Sequence, residues 1–204
     1  MKKFTDLSLE NYLNELSGPE PIPGGGSVSA YVASLAMGLT QMVGRISLKR
    51  KPKEGEEDRR AKIQKIVDSV EKTKRDAFSI VNLDPVAYQE VMSSYQDPAK
   101  SEEALWKSFQ MQADLVALVV LAKGNNDALD KLVSGSIKND LLVSKALLEA
   151  GFTGAYRTAL INVVYMKDTE KKQIATKALE ELTRKFESHK VPGPLEGSKG
   201  PGTL

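Results

Sequence analysis

The sequence contains no cysteine, one histidine and one tryptophan, and aromatic residues make up only 6 % of its 204 positions. Without cysteine there is no disulfide scaffold, no thiol nucleophile and no cysteine-built zinc or iron–sulfur site. The lone His189 cannot supply a multi-histidine zinc site, and its place before a Gly/Pro-rich tail does not suit a buried Ser-His-Asp triad. No metal site is expected. Charge of one sign is missing as well: 29 Lys and Arg against 27 Asp and Glu leave +2, too balanced for an electrostatic nucleic-acid binder. Long hydrophobic runs are also lacking. Leu115 to Ala122 is the longest strongly apolar stretch, far below the roughly 20 residues of a membrane span. The N-terminal Met1-Lys2-Lys3-Phe4-Thr5-Asp6 has no signal-peptide core. These absences predict a soluble, cytoplasmic protein, and 41 % hydrophobic residues suffice for one packed core.

What is there reads as helix throughout. Leu7, Leu9, Tyr12, Leu13 and Leu16 recur near helical spacing, with Thr5 or Asp6 placed to cap. The run from Gly18 to Gly26 then holds seven Gly or Pro in nine residues and interrupts any regular element. Ser27 suits an N-cap for a long helix, rich in small residues, from Val28 to about Lys49. A second long helix is expected from Glu56 to about Val81. Asn82-Leu83-Asp84-Pro85 reads as a stop and a restart, with Asp84 as N-cap and Pro85 at the first helical position of a helix to about Tyr95. From Ser101 a helix runs to Lys123, apolar on nearly every side in its second half, so that its own fold or a second subunit must cover it. Gly124 to Asp127 reads as a turn. A long helix follows from Asn139-Asp140 to about Lys167, and Asp168 or Thr169 caps the last one, which fades near Ser188. No segment alternates with period two. The expected fold is all-α: a single-domain bundle of long antiparallel helices over 1–188 and a Gly/Pro-rich tail over 189–204.

Four places can carry chemistry. Gly24, Gly25, Gly26 and Ser27 open a helix with exposed N–H groups that let an anion or carbonyl approach, although a flexible connection ending in a serine cap explains them equally simply. A nucleotide P-loop is excluded, because the lysine and the preceding strand are missing. Arg45, Lys49, Arg50, Lys51 and Lys53 crowd the far end of that helix, either as a solvated terminus favoured by the dipole or as a clamp for a polyanionic tail. Asp84 and Asn139-Asp140 sit where helices should begin, as plain caps or, in a partly buried cleft, as proton shuttles. Asn162 lies among Leu160, Ile161, Val163 and Val164 and needs partners if buried.

Pro23-Gly24-Gly25-Gly26-Ser27-Val28 opening a small-residue helix, Ile46 to Lys51, Asp84-Pro85-Val86-Ala87-Tyr88, and Asn139-Asp140 followed by Gly154-Ala155 and Asn162 together resemble one family. It is the formimidoyltetrahydrofolate cyclodeaminase and methenyltetrahydrofolate cyclohydrolase family, and the resemblance spans about Thr5 to Ser188. The chain departs from the family pattern at Asn139, where serine is usual, at Thr158, where asparagine is usual, and at Pro52-Lys53, which replaces a Lys-Tyr pair. The resemblance implies a homodimeric enzyme acting on the one-carbon unit between N5 and N10 of tetrahydrofolate, with a formiminotransferase as partner and no cofactor beyond the folate substrate. It implies Asp84 or Asp140 as the proton-transfer group. Gly24 to Ser27, Asn139 and Asn162 would line the substrate pocket, and Arg50 and Lys51 would hold the glutamate tail. The alternatives are a non-catalytic helical adaptor and an enzyme of this fold with another substrate.

Overall fold

The computed structural model describes residues 3–52 and 54–188, so His189, the tail and Lys53 lie outside the described residues. After a short 3-10 turn at Phe4–Asp6 come α1 (Leu9–Leu16), α2 (Gly25–Lys49), α3 (Glu57–Ser94), α4 (Pro98–Asp130), α5 (Lys138–Tyr165) and α6 (Thr169–Ser188). Among the described residues there is no strand. Helices α2 to α5 form a square, each lying against the next and α5 closing back on α2, while α6 packs outside on α4 and α5. Loops of a few residues join consecutive helices, so neighbours run antiparallel.

Small residues explain how closely α2 is held. Ala30, Ala33 and Ala36 are fully buried, and α5 answers with glycine: a Cβ on Gly151 would stand 3.2 Å from that of Ala33. Polar side chains then lock the register. Ser144 Oγ donates 2.7 Å to the Ala36 carbonyl and lies 2.8 Å from Thr40 Oγ1, which also accepts from Asn126 Nδ2 at 3.0 Å. Helix α4 as a whole is long and apolar enough to cross a bilayer, yet Leu115, Val116, Val119 and Ala122 are buried inside this bundle. Its own chain covers that face. Lys123, buried on the same helix, donates 3.2 Å to the Phe186 carbonyl and lies over its ring, pinning the end of α6.

Several expected boundaries move, at the helix starts through local caps and within α4 for a tertiary reason, while the Asp168 cap falls where it was expected. Ser8, not Thr5 or Asp6, caps α1 by accepting from Asn11 N–H. Asp97 caps α4 with Pro98 at its first turn, so this helix begins before Ser101. It also runs through Gly124 to Asp127 without a turn. There Asn126 is buried against Thr40 and the Leu141 carbonyl, and Asn125 donates to Ser69 Oγ at 3.0 Å, so cross-helix partners outweigh local preference. Asp168 caps α6, accepting from Glu170 N–H and Lys171 N–H.

The largest difference is at Pro85. Asp84 is not an N-cap, and α3 is unbroken from Glu57 to Ser94 with Pro85 inside it. Proline has no N–H to give the carbonyl four residues back, which would leave Val81 without its helical donor. Ser27 supplies one: its Oγ donates 2.9 Å to the Val81 carbonyl. Ser27 is thus no cap either. It lies within the first turn of α2, fully buried, with Gly24 at the N-cap position.

Ser27→Ala should therefore cost about 1–3 kcal/mol in urea denaturation, the penalty for a buried carbonyl left unpaired. Adding Pro85→Ala restores a backbone donor to Val81, so the double variant should recover part of that loss. Additive losses in the double-mutant cycle would show that the two positions do not share the carbonyl.

Candidate active site

One end of the square opens into a cleft of about 590 Å³. Its floor is the glycine turn before α2 together with Asp84, and its walls come from the C-terminal parts of α3 and α5 and the start of α4. Those walls are largely apolar and aromatic: Tyr88, Met92, Tyr95, Leu105, Ile161 and Tyr165. Volume and character match a pocket for a ring-bearing small molecule with a few fixed polar contacts.

Asp84 is the central group, only 8 % exposed. Its Oδ2 accepts the Ser27 N–H at 2.9 Å, and its Oδ1 accepts from Gln112 Nε2 at 2.7 Å. The first bond satisfies one of the orphan N–H groups in the opening turn of α2. The anion that the glycine-rich turn was expected to receive is therefore first of all the chain's own carboxylate. Gly26 makes this possible, because a Cβ there would overlap the Asp84 carboxylate and the Gln112 amide. Burial raises the Asp84 pKa above the ordinary carboxylate value, against the opposing pull of the Ser27 and Gln112 hydrogen bonds. Each carboxylate oxygen keeps a further lone pair, and Asp84 lines the cleft.

Other polar groups on the cleft are Ser108, Thr158 and Asn162, with Glu102 and Lys167 at the rim. Asn162 is nearly buried and donates 2.9 Å to the Thr158 carbonyl. Glu102 already accepts the backbone N–H groups of Lys167 and Asp168, which fixes the approach to α6.

The candidate residues thus divide into two groups. Gly24, Gly25, Gly26, Asp84 and Asn162 meet at the cleft, while Ser27 lies behind it as a structural donor. Arg50 and Lys51, exposed beyond the other end of α2, stand roughly 37 Å away at the 1.5 Å rise of a helix. Exposed Asn139 and half-buried Asp140, in the first turn of α5, are roughly 33 Å along that helix from Asn162. Within one chain they do not reach the cleft. Long antiparallel helices put the two ends of each element at opposite ends of the bundle. The sequence reading missed Gln112 and Lys167. Gln112 left a signal, an amide on the face of α4 that carries Phe109, Leu115 and Val116, all of them buried.

The described residues form an all-helical bundle with a cleft at one end, built on one buried carboxylate. The chain belongs to the formiminotransferase-cyclodeaminase family, whose model matches residues 8–181. It is 26 % identical to mouse formimidoyltransferase-cyclodeaminase over 97 % of this chain, and 29 % identical to the chicken protein over 88 %. It spans only 38 % and 36 % of the length of those two relatives. The crystal structure of formiminotetrahydrofolate cyclodeaminase from Thermotoga maritima has the same fold, with a TM-score of 0.85 at 23 % identity over 92 % of this chain and 93 % of that one.

Because the native pKa of Asp84 lies above its unfolded value, its protonated form favours folding, and that contribution disappears as pH rises through the native pKa. Asp84→Asn does not titrate. Its stability relative to the parent should rise from about pH 4 upward and level off once native Asp84 is ionised. Urea midpoints across this range test it; a difference independent of pH would refute the raised pKa. Gly26→Ala should cost about 1–3 kcal/mol, since the Asp84 carboxylate and the Gln112 amide must shift and give up the hydrogen bonds that hold them.

Proposed function

We propose that this chain is a folate one-carbon enzyme, a cyclodeaminase that converts 5-formimidoyltetrahydrofolate into 5,10-methenyltetrahydrofolate and ammonia. The observation that carries the reading is Asp84, a carboxyl of raised pKa on the floor of an apolar cleft, held by two donors and open to a ligand. The names of the family and of its relatives support it.

The reaction needs protons moved, not electrons. N10 attacks the carbon of the protonated formimidoyl group on N5, an amidinium, and forms a tetrahedral carbon that bears an –NH2 group and bridges N5 and N10. The proton leaving N10 passes to the exocyclic amine, which departs as ammonia while the N10–carbon bond gains double-bond character. One carboxyl can do both transfers: ionised Asp84 takes the N10 proton and, protonated, delivers it to the amine. A pKa raised toward the working pH makes both directions accessible. The aromatic walls, Tyr88 and Tyr95 among them, suit the faces of a pterin and an aminobenzoyl ring. Lys167 at the rim suits a carboxylate of the glutamate tail. No oxidation state changes, so no redox cofactor is required. The substrate is the product of a formiminotransferase, which is the natural partner, and the working unit is a homodimer.

Purified protein given 5-formimidoyltetrahydrofolate should produce methenyltetrahydrofolate absorbance with one ammonia released per turnover. Methenyltetrahydrofolate supplied alone measures the cyclohydrolase reaction in the same cuvette. Turnover of neither substrate would remove the proposal. Asp84→Asn should keep its fold and lose at least roughly a hundredfold in kcat, the usual contribution of a general acid–base group. Near-normal turnover of that variant would assign the proton transfer elsewhere.

A further inference from the structure

Behind the cleft floor lies an amide that is only half used. Gln112 of α4 is fully buried, and Phe109, Leu115 and Val116 are buried on the same face of its helix. Its Nε2 donates 2.7 Å to Asp84 Oδ1. Its Oε1, equally shut off from water, has no hydrogen-bond partner among the described residues. A buried acceptor left bare weakens a fold, so its presence calls for a reason.

The two oxygens of Asp84 have partners of different kinds. Oδ2 accepts the backbone N–H of Ser27, a donor fixed in the first turn of α2 that can never accept. Oδ1 meets a primary amide, which carries NH2 on one edge and C=O on the other and exchanges them by a half-turn about its last bond. When Asp84 takes up a proton, Oδ2 stays the carbonyl oxygen, the better acceptor for a donor that cannot change. The proton therefore goes to Oδ1. That makes Oδ1 a donor and a poor acceptor, and Nε2–H no longer suits it. A half-turn of Gln112 removes the conflict by placing Oε1 where Nε2 was, 2.7 Å from Oδ1, a normal length for O–H···O. An amide whose carbonyl was anchored elsewhere would have to break that bond to turn. Gln112 has none there to break.

The other titratable and charged groups leave this pair to itself. Tyr12 of α1 reaches Ser27 Oγ at 3.4 Å, and Tyr31 of α2 packs on Tyr12. Tyr88 and Tyr95 of α3, Glu102 of α4, Tyr165 of α5 and Lys167 beyond it line the cleft. Among the described residues none of these hydrogen-bonds Asp84, whose partners are Ser27 and Gln112. We infer that the Gln112 amide turns with the protonation of Asp84, donating through Nε2 to the carboxylate and accepting through Oε1 from the acid, so that Gln112 positions the cleft's proton-carrying group in both of its states. A donor unable to turn would favour the carboxylate alone and oppose burial, which raises the Asp84 pKa. An amide that turns supports both forms and leaves burial to set the balance. In the free protein the proton comes from solvent, and under the folate reading it comes from N10; nothing else in the inference rests on that reading.

Gly26 reports the half-turn. A Cβ there would overlap Gln112 Nε2, so the Gly26 Hα atoms lie against the amide's NH2 edge. NMR on the parent protein labelled with 13C and 15N should show NOEs from the Gln112 side-chain NH2 to Gly26 Hα above the Asp84 midpoint. Below it those NOEs should be lost, with the same midpoint as the Asp84 carboxyl 13C shift. Asp84→Asn assigns that carboxyl signal and imitates the acid, because its Nδ2 is a permanent donor where Oδ1–H would be. In that variant the NOEs should be missing at every pH. NOEs that persist through the carboxyl titration overturn the proposal, and so does a carboxyl that stays ionised down to the pH at which the protein unfolds. Gln112→Met, similar in size, removes donor and acceptor together. It should move the Asp84 midpoint by less than about half a pH unit, whereas loss of a fixed donor would raise it by about one or more and would overturn the proposal. The NOE measurement uses the parent protein and decides the matter even where Gln112→Met does not fold. Coupled titration of amide and carboxyl without any catalytic turnover would keep this inference and remove the folate reading. Turnover with an amide that never turns would do the reverse.

Discussion

A carboxylate buried at the start of a helix holds three elements of this protein at once. Asp84 belongs to α3, receives the first-turn N–H of α2 at Ser27 and is held by the Gln112 amide of α4. Its desolvation is offset only in part by those two donors and by the positive end of the α2 dipole, so its pKa stays raised. Two neighbouring peculiarities follow from this joint. Gly26 has no side chain because the carboxylate and the amide occupy that space. Pro85 is tolerated within α3 because Ser27, brought near by the same contact, gives Val81 the hydrogen bond that proline cannot.

The joint is both structural and chemical. Burial lifts the pKa of the acid on the cleft floor, while the hydrogen bonds keep it in a single orientation. The apolar walls above it exclude water from a ring-sized volume and leave polar recognition to Ser108, Thr158, Asn162 and Lys167.

Length sets the other constraint. Helices of 25 to 38 residues separate their own ends by the full height of the bundle, so residues at opposite ends of one helix do not share a cleft. The basic cluster after α2 and the Asn139-Asp140 pair are therefore out of reach of the cleft their own chain forms.

Composition and helical periodicity were enough to specify an all-α bundle, the positions of the long helices and the prominence of the glycine turn. The residue pattern around it also marked Asp84 and Asn162, since an aspartate–proline pair and an amide on an apolar face are local oddities. Their roles were not local. Asp84 was legible as a cap, but it serves a helix other than its own: it accepts the N–H of Ser27, 57 residues earlier, in the first turn of α2. The breaks expected at Pro85 and at Gly124 to Asp127 did not occur, because Ser27, Thr40 and the Leu141 carbonyl supplied hydrogen bonds that no short window contains. Which candidates share a cleft was likewise beyond any local reading. Helix formation depends on neighbours three and four positions away, whereas a site depends on which ends of which helices the packing brings together.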